Sequence, residues 1–340
     1  MKAGWERSNA WITPNLETVQ QVLNPFLKNE ELLSQQVLSG GLNNTNIKIT
    51  TARERYVLRI YNAQDETMEK ERGILELLKG KVPVPRVISY GTLHSMLENP
   101  YLVLSWVEGE QLSEVIYRDQ SLQVAQAAEA VGRSLAEIHT IKFPEPGFLD
   151  GSLQVKESLE INEASFLAII EELLFSGHVE KHVGKSLCHK VWDFAKKHGH
   201  LLDRLEGQST LVHSDFNPLN VLVEEKDGRI TVGGVLDWEY ALSGSPLMDI
   251  GNMVRYEEVT NPKLLFPFIT GYREQGGQLP PDWLKKAKLL DLIALCDLLN
   301  RENCGENRVN DLKVLLLRTV SEWELFEKVQ SKLDEKFMKR

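Results

Sequence analysis

The segment HSDFNPLN, residues 213–220, sets an aspartate and an asparagine five positions apart on one polar loop. Two short strands follow, VLV and RITVGGVLD, joined by Asp227 and Gly228, a pair that favours a hairpin turn. The second strand ends on another carboxylate, Asp237. These residue types suit the transfer of a phosphoryl group. A carboxylate beside an acceptor hydroxyl orients it and takes its proton. A nucleoside triphosphate arrives with Mg²⁺, a hard cation that wants a few oxygen ligands. Asp215 would face the acceptor, Asn220 would offer its amide oxygen to the metal, and Asp237 would be the main metal ligand. The strand pair holds Asn220 and Asp237 in fixed relation.

Such a loop needs a frame. Residues 16–27 (LETVQQVLNPFL) have the amphipathic spacing of a short helix. LLSQQVLS, TNIKITT and RYVLRIY alternate apolar and polar residues, and with YLVLSWV they predict an antiparallel sheet early in the chain. Within RYVLRI, Val57 and Arg59 share one face while Leu58 and Ile60 share the other. TMEKERGILELLKG reads as a helix closing at Gly80, and Pro83 and Pro85 keep the next segment extended. After about residue 112 the pattern turns helical. Ala127, Val131, Leu135 and Ile138 recur at helical spacing, and WLKKAKLLDLIALCDLL reads as a further helix. One last helix carries Val320, Trp323, Phe326, Val329 and Leu333. The expected fold is α+β, with a small antiparallel-sheet lobe over residues 1–104, a hinge at 105–110 and a larger helical lobe over 111–340.

HSDFNPLN followed by LDWE resembles the H-G-D-x-x-x-x-N…D signature of the aminoglycoside phosphotransferase family, relatives of choline kinases and protein kinases. The resemblance implies a two-lobed, protein-kinase-like fold. It also implies a kinase that moves the γ-phosphoryl of ATP or GTP to a hydroxyl of an antibiotic or metabolite. On that basis Asp215 is the catalytic base, Asn220 and Asp237 are Mg²⁺ ligands, and His213 is structural. Asp249 in PLMDIGN would buttress the loop or cap a helix. SGGLNNTN stands at the place of the phosphate-covering loop, which puts Gly40, Gly41 and Asn44 near the phosphates. Val57 would lie against the adenine. Arg59, where relatives often carry Lys, would reach the α- and β-phosphates. Glu71 matches the helix glutamate that pairs with this cation, with Glu69 as the fallback. LSWVEG resembles the hinge, with backbone groups of Ser105 and Val107 on the adenine edge and Leu104 behind it. Ser214 departs from the usual Gly, and would be strained if the position needs positive φ. The resemblance runs from about residue 32 to 252.

The formal net charge of −10, without a dense Lys/Arg cluster, argues against a nucleic-acid partner. It permits a cationic acceptor. Glu171, Glu172, Glu257, Glu258 and Glu302 lie in segments expected to shape the acceptor pocket. In a cleft they would suit an amine; on surface helices they are solvated charges. No stretch approaches the roughly 20 apolar residues of a membrane span. The opening MKAGWERSNAW lacks the apolar core of a secretory signal. A cytoplasmic protein is expected, with a nucleotide and a small hydroxyl acceptor as partners. Nothing in the sequence sets an oligomeric state. The three cysteines, Cys188, Cys296 and Cys304, form neither a metal spacing nor a disulfide framework. VGKS at 183–186 has Val179 in place of the first glycine of a nucleotide loop, and His178 and His182 lack a third zinc ligand. A protein kinase is disfavoured because eleven residues between Asp237 and Asp249 leave no room for a peptide-binding activation segment. A nucleotide-binding scaffold without catalysis is the reading from a different class, resting on Arg59 and Ser214.

Overall fold

In the computed structural model, residues 4–27, 30–39, 41–62, 65–92, 97–205 and 209–338 are described. The first lobe is a five-stranded antiparallel sheet flanked by two helices. Helix α1 (Leu16–Leu27) precedes β1 (Leu32–Val37), β2 (Thr45–Thr51) and β3 (Arg55–Ile60). Helix α2 (Asp65–Leu78), β4 (Val87–Gly91) and β5 (Tyr101–Ser105) complete it, in the strand order β1-β2-β3-β5-β4. The period-2 pattern decides which face meets which helix. Leu58, Ile60 and Val103 are buried in a cluster with Val19, Val22 and Leu23 of α1. Leu102 and Leu104 turn to the other side and pack with Met68, Ile74 and Leu78 of α2 in the main core. Val57 and Arg59 share that second face, so the sheet aims the arginine towards the helical lobe.

The second lobe begins with the two-residue strand β6 (Glu110–Gln111), then α3 (Leu112–Arg118) and α4 (Ser121–Ile138). A small hairpin, β7 (Gly147–Leu149) and β8 (Val155–Ser158), leads into α5 (Glu163–Glu171), α6 (Val179–Val183) and α7 (Lys185–His198). Strands β9 (Thr210–Val212), β10 (Val221–Lys226), β11 (Arg229–Val235) and β12 (Leu242–Gly244) frame the polar loops. They form two sheets, ordered β11-β10-β6 and β8-β7-β12-β9. The β10–β11 turn is Asp227 and Gly228, both with positive φ, as a tight hairpin requires. Helices α8 (Leu247–Met253), α9 (Leu265–Glu274), α10 (Trp283–Leu299), α11 (Glu306–Ser321) and α12 (Trp323–Met338) finish the lobe.

The last element corrects the sequence reading. Val320 lies in the last turn of α11, while Trp323, Phe326, Val329 and Leu333 belong to α12, so one expected helix is two. The apolar spacing runs on across the bend at Glu322, which is why periodicity does not reveal it.

An N-terminal strap joins the lobes. Trp5 Nε1 donates to Asp311 Oδ2 at 2.9 Å, and Glu6 Oε1 accepts from the backbone N–H of Asn307 at 3.0 Å, capping α11. The guanidinium of Arg7 then grips the carbonyls of Gly41 and Asn44, the latter at 3.1 Å, and Ser8 N donates to Leu42 O at 3.0 Å. The loop between β1 and β2 is thereby tied to the far end of the helical lobe.

Candidate active site

The loop of residues 213–220 is fixed from beneath by a buried carboxylate. Asp249, fully buried, accepts from the backbone N–H groups of His213 and Ser214, each at 2.8 Å. His139 Nε2 lies 3.2 Å from the same carboxylate, and its Nδ1 lies 2.9 Å from the hydroxyl of Tyr272. Asp249 is therefore a buttress, one of the two structural roles expected of it. His213 is equally structural: its Nε2 reaches Leu236 O at 2.8 Å and its Nδ1 accepts from Asp215 N at 3.2 Å. Its ring tilts against the buried Trp238, centroids 4.4 Å apart. Ser214 does adopt positive φ, +66°, the conformation that glycine would take without cost.

Two amides hold the carboxylate of Asp215. Asn217 Nδ2 donates to Oδ1 at 3.0 Å, and Asn220 Nδ2 donates to Oδ2 at 3.1 Å. With its nitrogen so engaged, Asn220 leaves its amide oxygen as an acceptor. Asp215, Asn220 and Asp237 all line one cavity of about 530 Å³.

Across the cleft, Arg59 is 5% exposed and surrounded by carboxylates. Its Nη2 lies 2.5 Å from Asp237 Oδ1 and 3.8 Å from Glu239 Oε1. Its Nε lies 3.0 Å from Glu71 Oε2, an ion pair whose angle falls outside hydrogen-bond alignment. Burial opposes the charge, but Asp237, Glu71 and Glu239 outweigh it and hold the guanidinium above its ordinary value. Glu71 is thus the partner of Arg59, and also accepts from Tyr61 OH at 2.5 Å. Glu69, the fallback, lies instead against Gly151.

The other expected nucleotide residues are placed as follows. Gly40 lies outside the described residues. The Gly41 carbonyl accepts from Arg7, and the buried side chain of Asn44 donates to Glu239 Oε2 at 2.6 Å. Val57 and Leu104 sit opposite each other in register and so face the same side of the sheet. The N–H of Ser105 is taken by Arg86 O at 2.9 Å, which limits what its backbone can offer a ligand to the carbonyl. Val107 packs on β11, where an added Cβ at Gly234 would stand 2.8 Å from Val107 Cγ1. The glycine pair in RITVGGVLD has this reason: it lets β11 close onto the connection between the lobes.

Three participants escaped the sequence reading. Glu239 stands two residues after Asp237, in the turn that follows the positive φ of Asp237, and burial with Asp237 beside it pushes its carboxyl up to about 8. The only signal in the sequence was its closeness to Asp237 in LDWE. Asn252 lines the cavity with its buried Oδ1 lacking a hydrogen-bond partner. Arg7 carried no motif. The expected acidic acceptor residues do not converge: Glu171, Glu172, Glu258 and Glu302 are exposed, and Glu257 accepts from Leu264 N at 2.9 Å. Nor do the histidines form a site, since His182 Nε2 is bonded to Arg301 O at 2.8 Å. Among the described residues no group of three or more His, Cys, Asp or Glu is arranged to hold a metal, and no helix is long and apolar enough to cross a membrane.

No curated protein matches the chain significantly. Solved structures do. Aminoglycoside phosphotransferase APH(4)-Ia, as a thermostable mutant in ternary complex with AMP-PNP and hygromycin B, superposes with a TM-score of 0.67 at 16% identity, covering 89% of this chain and 98% of that one. ADP-bound APH(2'')-Ib superposes with a TM-score of 0.60 at 18% identity, covering 92% of this chain and 99% of that one. At such identities the likeness establishes the two-lobed, protein-kinase-like fold. The family model described as the phosphotransferase enzyme family matches residues 34–285, a span that takes in the sheet, the 213–220 loop and Asp237. The chain belongs to that family and is a phosphotransferase acting on hydroxyl groups of small molecules.

Proposed function

We propose that the chain transfers the γ-phosphoryl of ATP or GTP to a hydroxyl of a small molecule, with Asp215 as the catalytic base. The observation that carries this reading is the convergence of Asp215, Asn220 and Asp237 on a single cavity. The acceptor oxygen forms the new bond to the γ-phosphorus and the bond to the β,γ-bridging oxygen breaks. The nucleoside diphosphate leaves with that electron pair, and the acceptor proton passes to Asp215. The two amides on Asp215 hold its carboxylate in place for this.

The donor set suits Mg²⁺. This ion is usually held by one or two carboxylates plus substrate phosphates, so a cage of three acidic residues is unnecessary. The carbonyl oxygen of Asn220 and the carboxylate of Asp237 would hold it, and a cation, Arg59, already lies against Asp237. Bound there, the metal would offset phosphate charge. Arg59, steadied by Glu71, reaches the α- and β-phosphates, and backbone groups of residues 41–44 cover them. The adenine lies between Val57 and two backbone groups, the carbonyl of Ser105 and the N–H of Val107, with Leu104 behind. Residues 105–110 act as the hinge between lobes 1–104 and 111–340. A location in the cytoplasm, where nucleotide is abundant, accords with this role. Peptide phosphorylation is not favoured, because β12 and α8 occupy the short span where a peptide platform would be built.

The test is nucleotide consumption with Mg²⁺ across a panel of hydroxylated acceptors, wild type against Asp215→Ala. Acceptor-dependent turnover should fall by roughly 10³-fold or more in the variant, the order expected when a group acting in the transition state is removed. Nucleotide affinity should be nearly unchanged. Turnover at the wild-type rate without Asp215 would remove it from the chemistry. Nucleotide binding with no transfer to any acceptor would favour the scaffold reading.

A further inference from the structure

Hydrocarbon dominates the walls of the cavity that receives Asp215. Phe148 of β7, Leu159 and Ile161 after β8, Leu173 after α5, and Leu290 and Ile293 of α10 line it. Beyond the carboxylates at the phosphoryl end, the wall carries Glu157 and Asp297 against Arg255, Arg301 and Arg308. Arg255 is neutralised by Asp291 at 2.7 Å, both side chains 2% exposed. Arg308 donates to Glu6 O at 3.0 Å. No surplus of negative charge remains to receive several ammonium groups, and an ammonium set against hydrocarbon without a partner is strongly disfavoured. The glutamates that would have suited an amine are exposed or bonded to backbone, outside these walls.

One polar atom in the wall is left over. Asn252 is 4% exposed, and its Nδ2 lies 3.3 Å from both Ser214 O and Met248 O. Those two carbonyls fix the orientation, because the flipped amide would set oxygen against oxygen. Its Oδ1 is buried without a hydrogen-bond partner, on a residue that lines the cavity and whose Nδ2 is bonded to the carbonyl just before Asp215. A buried acceptor in that state calls for a donor from a ligand.

Resting on the kinase reading above, we propose that the acceptor is a predominantly apolar hydroxyl compound and not a polyamine sugar. It places its reacting O–H at Asp215, where the phosphoryl transfer occurs as already written, and gives a second hydrogen-bond donor to Asn252 Oδ1. The apolar body lies against Leu173, Leu290 and Ile293.

Isothermal titration calorimetry on the full chain, with and without Mg·AMP-PNP, tests this with two probes, 1-(2-naphthyl)ethane-1,2-diol and 2-deoxystreptamine. The diol should bind at least tenfold tighter than the aminocyclitol. Leu173→Asp and Ile293→Asp, each at a partly exposed wall position and so able to fold, should reduce or reverse that preference. Equal or tighter binding of 2-deoxystreptamine, no measurable binding of the diol, or a preference unmoved in both variants would overturn the proposal. Binding of Mg·AMP-PNP is the separate readout for the kinase reading: its absence in wild type would sink that reading, while the probe ranking without nucleotide still decides the acceptor class.

Discussion

Ser214 carries a local conflict between sequence and backbone at the heart of the site. An L-residue in the left-handed region is disfavoured by roughly 1–2 kcal/mol, against about 0.5–1 kcal/mol for the extra freedom that glycine loses on folding. Ser214→Gly should therefore stabilise the protein by about 0.5–1 kcal/mol, seen as a higher unfolding midpoint in urea with an unchanged slope. An unchanged or lowered midpoint would mean that the strain is absorbed elsewhere. The chemistry-bearing residues were legible because they are local or in register. Asp215 and Asn220 share one loop, and the alternation along β3 already put Arg59 on the face opposite Leu58. Glu239 and Asn252 were not, since their part arises from burial, which only the packed fold supplies.

Among elements, β11 and α10 make the sharpest tests. The approach of 2.8 Å between an added Cβ at Gly234 and Val107 Cγ1 leaves no room for a side chain. Gly234→Ala should cost about 1–3 kcal/mol of stability, as overpacked positions do, and weaken nucleotide binding by shifting the connection at 107. Wild-type nucleotide affinity in that variant would separate β11 from the nucleotide site. On α10, Lys288 is 6% exposed and donates to Val254 O at 2.9 Å. Burial lowers its ammonium to about 8 from an ordinary 10.5, despite the nearby Asp291. Between those values the unfolded chain binds the extra proton more readily, so stability should rise with pH across that window. Comparing melting temperatures at pH 7.5 and 10, Lys288→Met should show a smaller rise than wild type; an identical profile would refute the shift. Elements themselves were largely readable: α1 matched residue for residue, while the α11–α12 break did not show because apolar spacing continues across it. The two readings of the acidic residues stayed open in the sequence for a related reason. Composition counts charges without saying which side of a helix they occupy, and Glu171 and Glu172 prove to be solvated.

For the whole molecule, the strap of residues 5–8 matters most. Arg7 holds the 41–44 loop while Trp5 and Glu6 hold α11, so movement of the first lobe against the second must break or carry these bonds. Arg7→Ala should speed nucleotide dissociation by several-fold and raise amide hydrogen exchange in residues 41–46, with little change at the 213–220 loop. Exchange that stays at the wild-type level would make the strap a passive covering. The apolar cavity has a consequence of another kind, in where the reactant and product can travel. A compound that matches those walls dissolves readily in lipid and crosses a bilayer unaided. Its phosphate ester carries about −1.5 to −2 charges at neutral pH, which a bilayer excludes. A single turnover on the proposed acceptor would thus work as a one-way valve, letting a molecule diffuse in and leaving it stranded in water.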